Sequence, residues 1–215
     1  MKQLNRYLLG APGSGKGTQT ARIQSHLNIA SISTGALLRE SSQYAEIMRR
    51  GGLVPDSAVM ELVTAEIAKP EYVAGVILDG SPRNIEQAQD TDLLFARYGR
   101  SPLLAIFLEV PLAILRARLL GRLTCTRKDC GRVYHQVTSP PKRATRCDAC
   151  DAALFVRNDD TDEAIRTRLQ AYQKSTAPLQ DYYTRRSRCY RVDGNQAPDA
   201  VFNQLSIFLE KLHVA

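Results

Sequence analysis

The feature that most constrains this chain is a glycine-rich stretch near its start. Residues 10–18 read GAPGSGKGT and stand between the apolar run Tyr7-Leu8-Leu9 and a stretch, 19–27, that we predict to be helical. The spacing from Gly10 to Lys16 fits G-x-x-x-x-G-K, a loop that joins a strand to a helix and binds phosphate. Its backbone N–H groups surround the anion, and its lysine reaches the outer phosphates of a nucleoside triphosphate. A glycine turn without a ligand is the alternative.

Further apolar runs alternate with segments of helical spacing along the rest of the chain. We predict four more strands, at residues 29–32, 76–78, 103–110 and 190–192. Helices are predicted after Pro55, from Ile85 to Tyr98, after Pro111 and after Pro198. Continuously apolar strands that alternate with helices predict an α/β fold, with a parallel sheet covered on both faces.

Two segments interrupt this alternation. Residues 33–66 contain two or three helical pieces between predicted strands, which is more than a simple crossover needs. Residues 122–157 are rich in Cys, Lys and Arg and show little helical periodicity. After them, Asp160 and Glu163 are predicted to form a capping box that opens a helix through Ala171. We expect one main domain, 1–215, with these two segments inserted.

Composition narrows the classes of partner and location. The chain has 215 residues, 44% of them hydrophobic, and a formal net charge of +7. A positive balance favours anionic partners such as nucleotides, nucleic acid or a membrane surface. No apolar run reaches 18 residues, and the N-terminus enters the first predicted strand almost at once. We therefore expect neither a membrane span nor a signal peptide, and a cytoplasmic location.

Four of the five cysteines lie within 26 residues of one another. Cys125 and Cys130 form C-x4-C, and Cys147 and Cys150 form C-x2-C after a gap of sixteen residues. Paired thiolates at such spacings are typical of structural, tetrahedral zinc sites. Free thiols or a redox pair are the alternatives, and iron is the main alternative metal. Cys189 is predicted to be an ordinary small buried residue.

Several spaced motifs then agree in order: STGALLR at 33–39, LDGSPRNIEQ at 78–87, Arg122, RNDD at 157–160 and RTRL at 166–169. With the glycine loop, they make the chain resemble the adenylate kinases of the long-lid bacterial type, whose lid can hold zinc. The resemblance implies a five-stranded P-loop nucleoside monophosphate kinase fold, with residues 33–66 as the acceptor-binding segment and 122–157 as the lid. It implies the reaction ATP + AMP to 2 ADP with Mg²⁺, carried out by a monomer.

The resemblance also implies the residues of the site. Phosphoryl transfer needs alignment and neutralisation of phosphate charge, for which arginines are suited. The implied catalytic residues are Lys16, Asp79, Arg83, Arg122, Arg157 and Arg168. The implied ATP-binding residues are Gly13, Ser14, Gly15, Lys16, Gly17, Thr18, Arg118 and Arg122. The implied AMP-binding residues are Thr34, Arg39, Leu53, Val54, Gly80, Arg83, Gln87, Arg157 and Arg168.

Three residues depart from the family pattern. Ala36 replaces an aspartate expected near the water shell of magnesium, while Ser81 and Asn84 replace phenylalanine and threonine. In having asparagine at position 84, the chain resembles the uridylate and cytidylate kinases. Transfer to UMP, CMP or GMP therefore stays open as an alternative. A basic zinc module that binds nucleic acid is a third alternative. Because the segment lacks interleaved aromatic residues, we expect no nucleic-acid partner.

Overall fold

A computed structural model describes residues 4–127 and 130–214 of the chain. The expectation of one domain over 1–215 therefore includes residues 1–3, 128, 129 and 215, which lie outside the described residues, as does part of the C-x4-C spacer. The strands are β1 (Leu4–Gly10), β2 (Ala30–Ser33), β3 (Gly75–Asp79), β4 (Leu104–Glu109), β5 (Arg122–Cys125), β6 (Val133–His135), β7 (Leu154–Phe155) and β8 (Cys189–Asp193).

The helices follow the predicted alternation. They are α1 (Lys16–Leu27), α2 (Thr34–Glu40), α3 (Ala45–Arg49), α4 (Asp56–Ile67), α5 (Ile85–Arg97), α6 (Leu112–Leu120), α7 (Asp162–Ala171), α8 (Leu179–Thr184) and α9 (Pro198–Val214). A π-helical turn, Tyr172–Thr176, separates α7 from α8. None of the described helices is long and apolar enough to cross a membrane.

Five parallel strands form the main sheet, in the order β2-β3-β1-β4-β8. The central strand β1 pairs Leu8 with Asp79 of β3 and Gly10 with Leu108 of β4. The carboxyl ends of β1, β3 and β4 therefore lie together at one edge of the sheet. The predicted α/β class with a five-stranded parallel sheet is confirmed.

Alternate residues of the strands supply two separate cores. Tyr7 and Leu9 of β1 point to the side that also contains Phe95 and Tyr183. Leu8, between them, belongs to the opposite core with residues of α1 and α9. Because both faces of the strand are covered here, Tyr7, Leu8 and Leu9 are all apolar, which explains the short continuous run that predicted the strand.

The two inserted segments differ in structure. Residues 34–67 contain α2, α3 and α4, so the segment has the predicted helical pieces. The segment after α6 contains a three-stranded antiparallel sheet of order β6-β5-β7. Its strands have only two to four residues each. Such a small sheet cannot bury a core of its own, and the four cysteines pack beside it with Tyr134.

The predicted capping box at α7 is wrong by one residue. The N-cap is Thr161, whose hydroxyl accepts a hydrogen bond from Ala164 N at 3.3 Å. Asp160 instead turns its carboxylate into the protein, where the side chain is fully buried against Arg122. Both residues are good cap formers, and the ion pair with Arg122 decides between them.

A close contact joins the first inserted segment to α7. Gly51, after α3, has φ of +76°, and a Cβ at this position would lie 2.4 Å from Ala164 O and 3.0 Å from Arg168 Cγ. Only glycine fits both the left-handed backbone and the space. The turn after α3 therefore rests directly on the helix that carries Arg168.

Candidate active site

The glycine loop lies at the carboxyl edge of the sheet, between β1 and α1. Gly13 and Gly15 have φ of +83° and +98°, conformations that side chains disfavour. A Cβ on Gly13 would also lie 3.0 Å from Leu119 Cγ and 3.1 Å from Leu115 O. Gly15 caps α1 without a side-chain hydrogen bond, so the first N–H groups of the helix remain available for an anion.

Lys16 is held by the carbonyl groups of the glycine loop. Its Nζ donates to Gly10 O at 2.7 Å and to Ala11 O at 3.0 Å. Burial, helped by the positive charges of Arg83 and Arg168 and opposed by Asp79, lowers the pKa of Lys16 to about 8. The ammonium therefore lacks full compensation by negative charge and can donate to phosphate oxygens in place of the carbonyls.

Asp79 ends β3 beside the loop. Burial raises the pKa of its carboxyl, and the positive charges of Lys16, Arg39 and Arg83 act in the opposite direction. A carboxylate at this strand end is a hard oxygen ligand of the kind that magnesium prefers. The residue fits a magnesium ion that is shared with phosphate oxygens.

Cationic side chains from several elements face the same space. Burial lowers the pKa of Arg83 and of Arg168; the positive charge of Arg168 also lowers the pKa of Arg83, and that of Arg122 lowers the pKa of Arg168. Burial, together with the positive charges of Arg122 and Arg39, lowers the pKa of Arg157 to about 9. Such mutual repulsion among half-buried cations is relieved by a polyanion. The structure thus brings together Lys16 and all five arginines that the sequence placed around the phosphates.

Two aspartates that the prediction left out of the site organise these arginines. Asp160 accepts from Arg122 Nε at 2.8 Å and Nη2 at 2.5 Å, and from Arg168 Nη1 at 3.2 Å. Asp159 lies 3.1 Å from Arg168 Nη1. The side chain of Asp160 is 0% exposed, so its charge is compensated only by its protein partners. The signal available in the sequence was the pair Asp159-Asp160 directly after Arg157.

Arg157 is oriented by the small sheet. Its Nε donates to Thr124 Oγ1 of β5 at 3.0 Å, and Thr124 is buried. On the same strand, Arg122 pairs across to His135 of β6. Arg122 and Arg157 are therefore both tied to one strand of the cysteine-containing segment.

The proposed acceptor side contains residues of α2 and the loop after β3. Thr34 is buried, and its Oγ1 lies 3.4 Å from Asp79 O. Gly80 has φ of +88°, and a Cβ there would lie 3.0 Å from Thr34 Oγ1. Arg83 Nε donates to Gly80 O at 3.0 Å. Leu53 is 40% exposed while Val54 is buried, so only Leu53 offers an accessible side chain.

Gln87 is engaged by the protein itself. Its Oε1 accepts from Arg83 N at 2.8 Å and its Nε2 donates to Asp56 Oδ1 at 2.6 Å. The residue is 1% exposed. Asn84 caps α5, since its Oδ1 accepts from Gln87 N at 2.8 Å. The replaced residue Ser81 is fully buried, and its Oγ has no hydrogen-bond partner in the described part of the chain.

Arg118 lies on the other side of the glycine loop. Its Nη1 donates to Gly194 O at 3.0 Å. A Cβ on Gly194 would lie 3.3 Å from Ser14 O, so the loop after β8 runs close to the phosphate loop. This position suits contact with the donor nucleotide beyond its phosphates.

The four cysteines converge in the small antiparallel segment. The sulfurs of Cys125, Cys130, Cys147 and Cys150 all lie within 4.8 Å of one another. Cys125 Sγ lies 3.5 Å from Cys150 Sγ, and Cys130 Sγ lies 3.7 Å from Cys147 Sγ. Sulfurs at about 2.3 Å from a tetrahedral zinc are about 3.8 Å apart. The cluster therefore fits a zinc ion, with four thiolates and no open position.

The residues beside the cluster hold it to the sheet. Tyr134 Oη lies 3.4 Å from Cys147 Sγ and accepts from Asp148 N at 2.8 Å. His135 uses Nδ1 to accept from Val137 N and Thr138 N, each at 3.1 Å. Its Nε2 then donates to Ala117 O at 3.2 Å. His135 thus links β6 to α6.

A glycine loop at the edge of a parallel sheet, faced by converging arginines, defines a P-loop kinase that moves phosphate between nucleotides. Comparison with known proteins narrows the class. The family model described as "Adenylate kinase" matches residues 8–188. Because the match covers most of the chain, the chain belongs to the adenylate kinase family.

Individual relatives match this chain along nearly their whole lengths. An adenylate kinase of Thermodesulfovibrio yellowstonii is 41% identical over 94% of this chain and 97% of the relative. One of Nitrosococcus oceani is 40% identical over 96% of this chain and 99% of the relative. One of Archaeoglobus fulgidus is 36% identical over 97% of this chain and 99% of the relative.

Proposed function

We propose that this chain transfers the terminal phosphate of ATP to AMP, giving two ADP. Family membership supports the reaction. The roles of the residues are assigned from one observation, which is that Lys16 and five arginines face the same space. UMP, CMP and GMP are the competing acceptors suggested by Asn84 and Ser81. The names of the relatives favour AMP.

The donor half of the site is built on the glycine loop. Gly13, Ser14, Gly15, Lys16, Gly17 and Thr18 hold the triphosphate of ATP, with Arg118 against the nucleoside and Arg122 over the phosphates. Phosphate oxygens replace Gly10 O and Ala11 O as partners of Lys16 Nζ. The loss of those two hydrogen bonds is offset because the phosphate oxygens carry full negative charge, whereas the carbonyl oxygens do not.

The acceptor half lies across the cluster. Arg39 and Arg83 hold the monophosphate, and Thr34, Leu53, Val54, Gly80 and Gln87 surround the nucleoside of AMP. Arg157 and Arg168 contact the phosphate in transit from both sides. The protein's contribution is alignment and neutralisation of charge, because phosphoryl transfer needs little proton movement by the enzyme.

Magnesium is the proposed metal of the reaction. Asp79 would hold it, together with phosphate oxygens of ATP and water. When bound, it neutralises charge on the phosphates that are being separated. Ala36 is exposed at the start of α2 and supplies no second carboxylate, so Asp79 carries this role without the usual neighbour.

Segments 33–66 and 122–157 are proposed to close over the two nucleotides. The lid contains the cysteine cluster, in which zinc would brace the short strands that position Arg122 and Arg157. With all four ligand positions filled, this metal takes no part in the transfer. A monomeric state, a cytoplasmic location and the absence of nucleic-acid partners remain part of the proposal.

A coupled assay of ADP formation tests the reaction. The chain should convert ATP and AMP to ADP in the presence of Mg²⁺. Arg83→Ala should lower kcat/KM by about 10² to 10⁵-fold, as for other charge-stabilising groups. Arg97→Ala, an exposed arginine of α5, is the matched control and should leave activity unchanged. Full activity of Arg83→Ala would remove this residue from the catalytic set.

A further inference from the structure

One face of the small antiparallel sheet packs against the cysteine cluster. Strand register pairs Leu123 of β5 with Tyr134 of β6, and Cys125 of β5 with Leu154 of β7. Because side chains alternate along a strand, these four residues share a face of the sheet. All four also belong to the apolar cluster that contains the cysteines. We call this side of the sheet the metal face.

The opposite face of the same sheet carries residues of the active site. Arg122 and Thr124 lie on it, because they alternate with Leu123 and Cys125 along β5. Thr124 Oγ1 accepts the hydrogen bond from Arg157 Nε at 3.0 Å. A single layer of sheet therefore separates the cysteines from the arginines that are directed to the phosphates.

Tyr134 reaches a cysteine sulfur from the metal face. Its Oη lies 3.4 Å from Cys147 Sγ and 2.8 Å from Asp148 N. Because the backbone N–H of Asp148 can only donate, the oxygen of Tyr134 accepts there, and its own hydrogen is left for the sulfur. Tyr134 is 8% exposed and Cys147 is 1% exposed. The hydrogen bond to the sulfur is therefore shielded from water.

A zinc ion held by the four cysteines would need such donors. Cysteines that bind zinc are thiolates, so four of them around one divalent ion leave two net negative charges. Negative charge removed from water costs free energy unless hydrogen-bond donors compensate it. A hydroxyl that donates to a thiolate forms a charge-assisted hydrogen bond, which is stronger than the bond to a neutral thiol.

We infer that Tyr134 is a positioning residue of the metal centre, whose hydroxyl donates to the thiolate of Cys147 and thereby helps to retain zinc. The inference rests on the zinc site proposed above. The same oxygen binds the N–H of Asp148, so it also ties the turn that contains Cys147 and Cys150 to β6. Because β6 follows closely after Cys130, the tyrosine joins the two halves of the ligand set.

Tyr134→Phe tests the inference, because it removes the hydroxyl and keeps the ring. The dissociation constant of zinc, measured by competition with a chromogenic chelator, should rise about 10 to 100-fold, as is typical when a metal ligand loses its hydrogen-bond partner. Tyr72→Phe is the matched control. Tyr72 is also 8% exposed, and its hydroxyl binds Glu66 Oε2 at 3.3 Å outside the cysteine-containing segment. That variant should keep the native affinity for zinc.

A spectrum of the cobalt-substituted chain distinguishes a hydrogen bond to sulfur from mere packing. Cobalt bound by thiolates gives a sulfur-to-metal charge-transfer band, whose energy falls when a thiolate loses a hydrogen bond, because its electrons are then held less tightly. The band of Tyr134→Phe should move to longer wavelength, while the d–d bands keep their tetrahedral pattern. Leu123→Ala removes packing from the metal face without removing a donor to sulfur, so its charge-transfer band should stay at the native position.

Two results would overturn the inference. One is native zinc affinity in Tyr134→Phe. The other is an unmoved charge-transfer band in that variant, even with a lowered melting temperature, because Tyr134 would then act through packing alone. A native chain that binds neither zinc nor cobalt would remove the proposed zinc site and the inference with it. Formation of ADP by the same preparation reports separately on the proposed reaction.

Discussion

Asp160 shows how one buried carboxylate organises a cationic site. It binds Arg122 through two hydrogen bonds and also contacts Arg168, although these arginines belong to different elements. Without it, two guanidiniums would repel each other across a partly dehydrated space. Asp160 therefore sets the spacing of the arginines before any phosphate arrives.

Asp160→Asn should destabilise the chain and weaken transfer. Removing one partner of a buried ion pair costs about 3 to 5 kcal/mol, because the remaining charge is left without compensation. Denaturant unfolding measures this change, and ADP formation measures the loss of activity. Asp162→Asn is the control, since Asp162 forms an exposed pair with Arg116 at 2.5 Å that should contribute below about 1 kcal/mol. Equal effects of the two substitutions would contradict this account.

The lowered pKa of Lys16 leads to a prediction of how ATP binding depends on pH. This pKa is about 8, and phosphates bound beside the lysine would favour the charged form and raise the pKa. Affinity is therefore fully present below pH 8 and decreases as the pH rises above that value, by up to about tenfold per unit. Calorimetric titration of Mg-ATP between pH 7 and 9.5 measures it. Lys16→Met should bind weakly at every pH, and an equal slope in that variant would assign the effect to another group.

Among the elements, the main sheet was predictable and the cysteine-containing segment was predictable only in part. The strands β1, β3 and β4 are buried on both faces, so their apolar runs stand out in the sequence. The short strands β5, β6 and β7 have no such pattern, because a metal site can replace a hydrophobic core in holding them. Spacing of cysteines indicated the cluster, whereas it gave no information on which arginines the segment would orient.

Loss of the metal should loosen this segment. Structural zinc contributes about 10 kcal/mol or more of binding free energy to small folds of this kind. Cys130→Ser is expected to abolish stoichiometric zinc, to lower the melting temperature and to raise the KM of ATP, because Arg122 and Arg157 lose their support. Cys189→Ser, a cysteine outside the cluster, should retain the metal. Metal analysis with scanning calorimetry measures both, and a Cys130→Ser chain with native zinc content would refute the site.

At the scale of the whole molecule, contacts between distant segments were the part that the sequence did not reveal. The order of the motifs placed Arg83, Arg122 and Arg168 in one site, but pairings such as Asp56 with Gln87 depend on how α4 packs beside α5. The role of Asp160 likewise depends on a distant partner, Arg122, whereas the local sequence pattern predicted a helix cap. Local propensity is visible in a sequence, whereas the tertiary partner that overrides it is not.

Closure of both segments should protect the phosphate from water. When AMP occupies the acceptor half, its phosphate oxygen stands where a water molecule would otherwise attack, and the closed segments exclude solvent. Hydrolysis of ATP should therefore be far slower than transfer when AMP is present. Release of inorganic phosphate, compared with ADP formation in the same reaction, measures this ratio. Comparable rates would contradict closure as the source of selectivity.

The contact of Gly51 with α7 has a further consequence for binding order. The acceptor segment rests on the helix that carries Arg168, so neither can change its position without affecting the other. Filling one half of the site should then favour binding in the other, and the two nucleotides should strengthen each other's affinity by the same factor, as thermodynamic reciprocity requires. Gly51→Ala, which adds a methyl group at that contact, should uncouple them, so that AMP and a non-transferable ATP analogue bind independently.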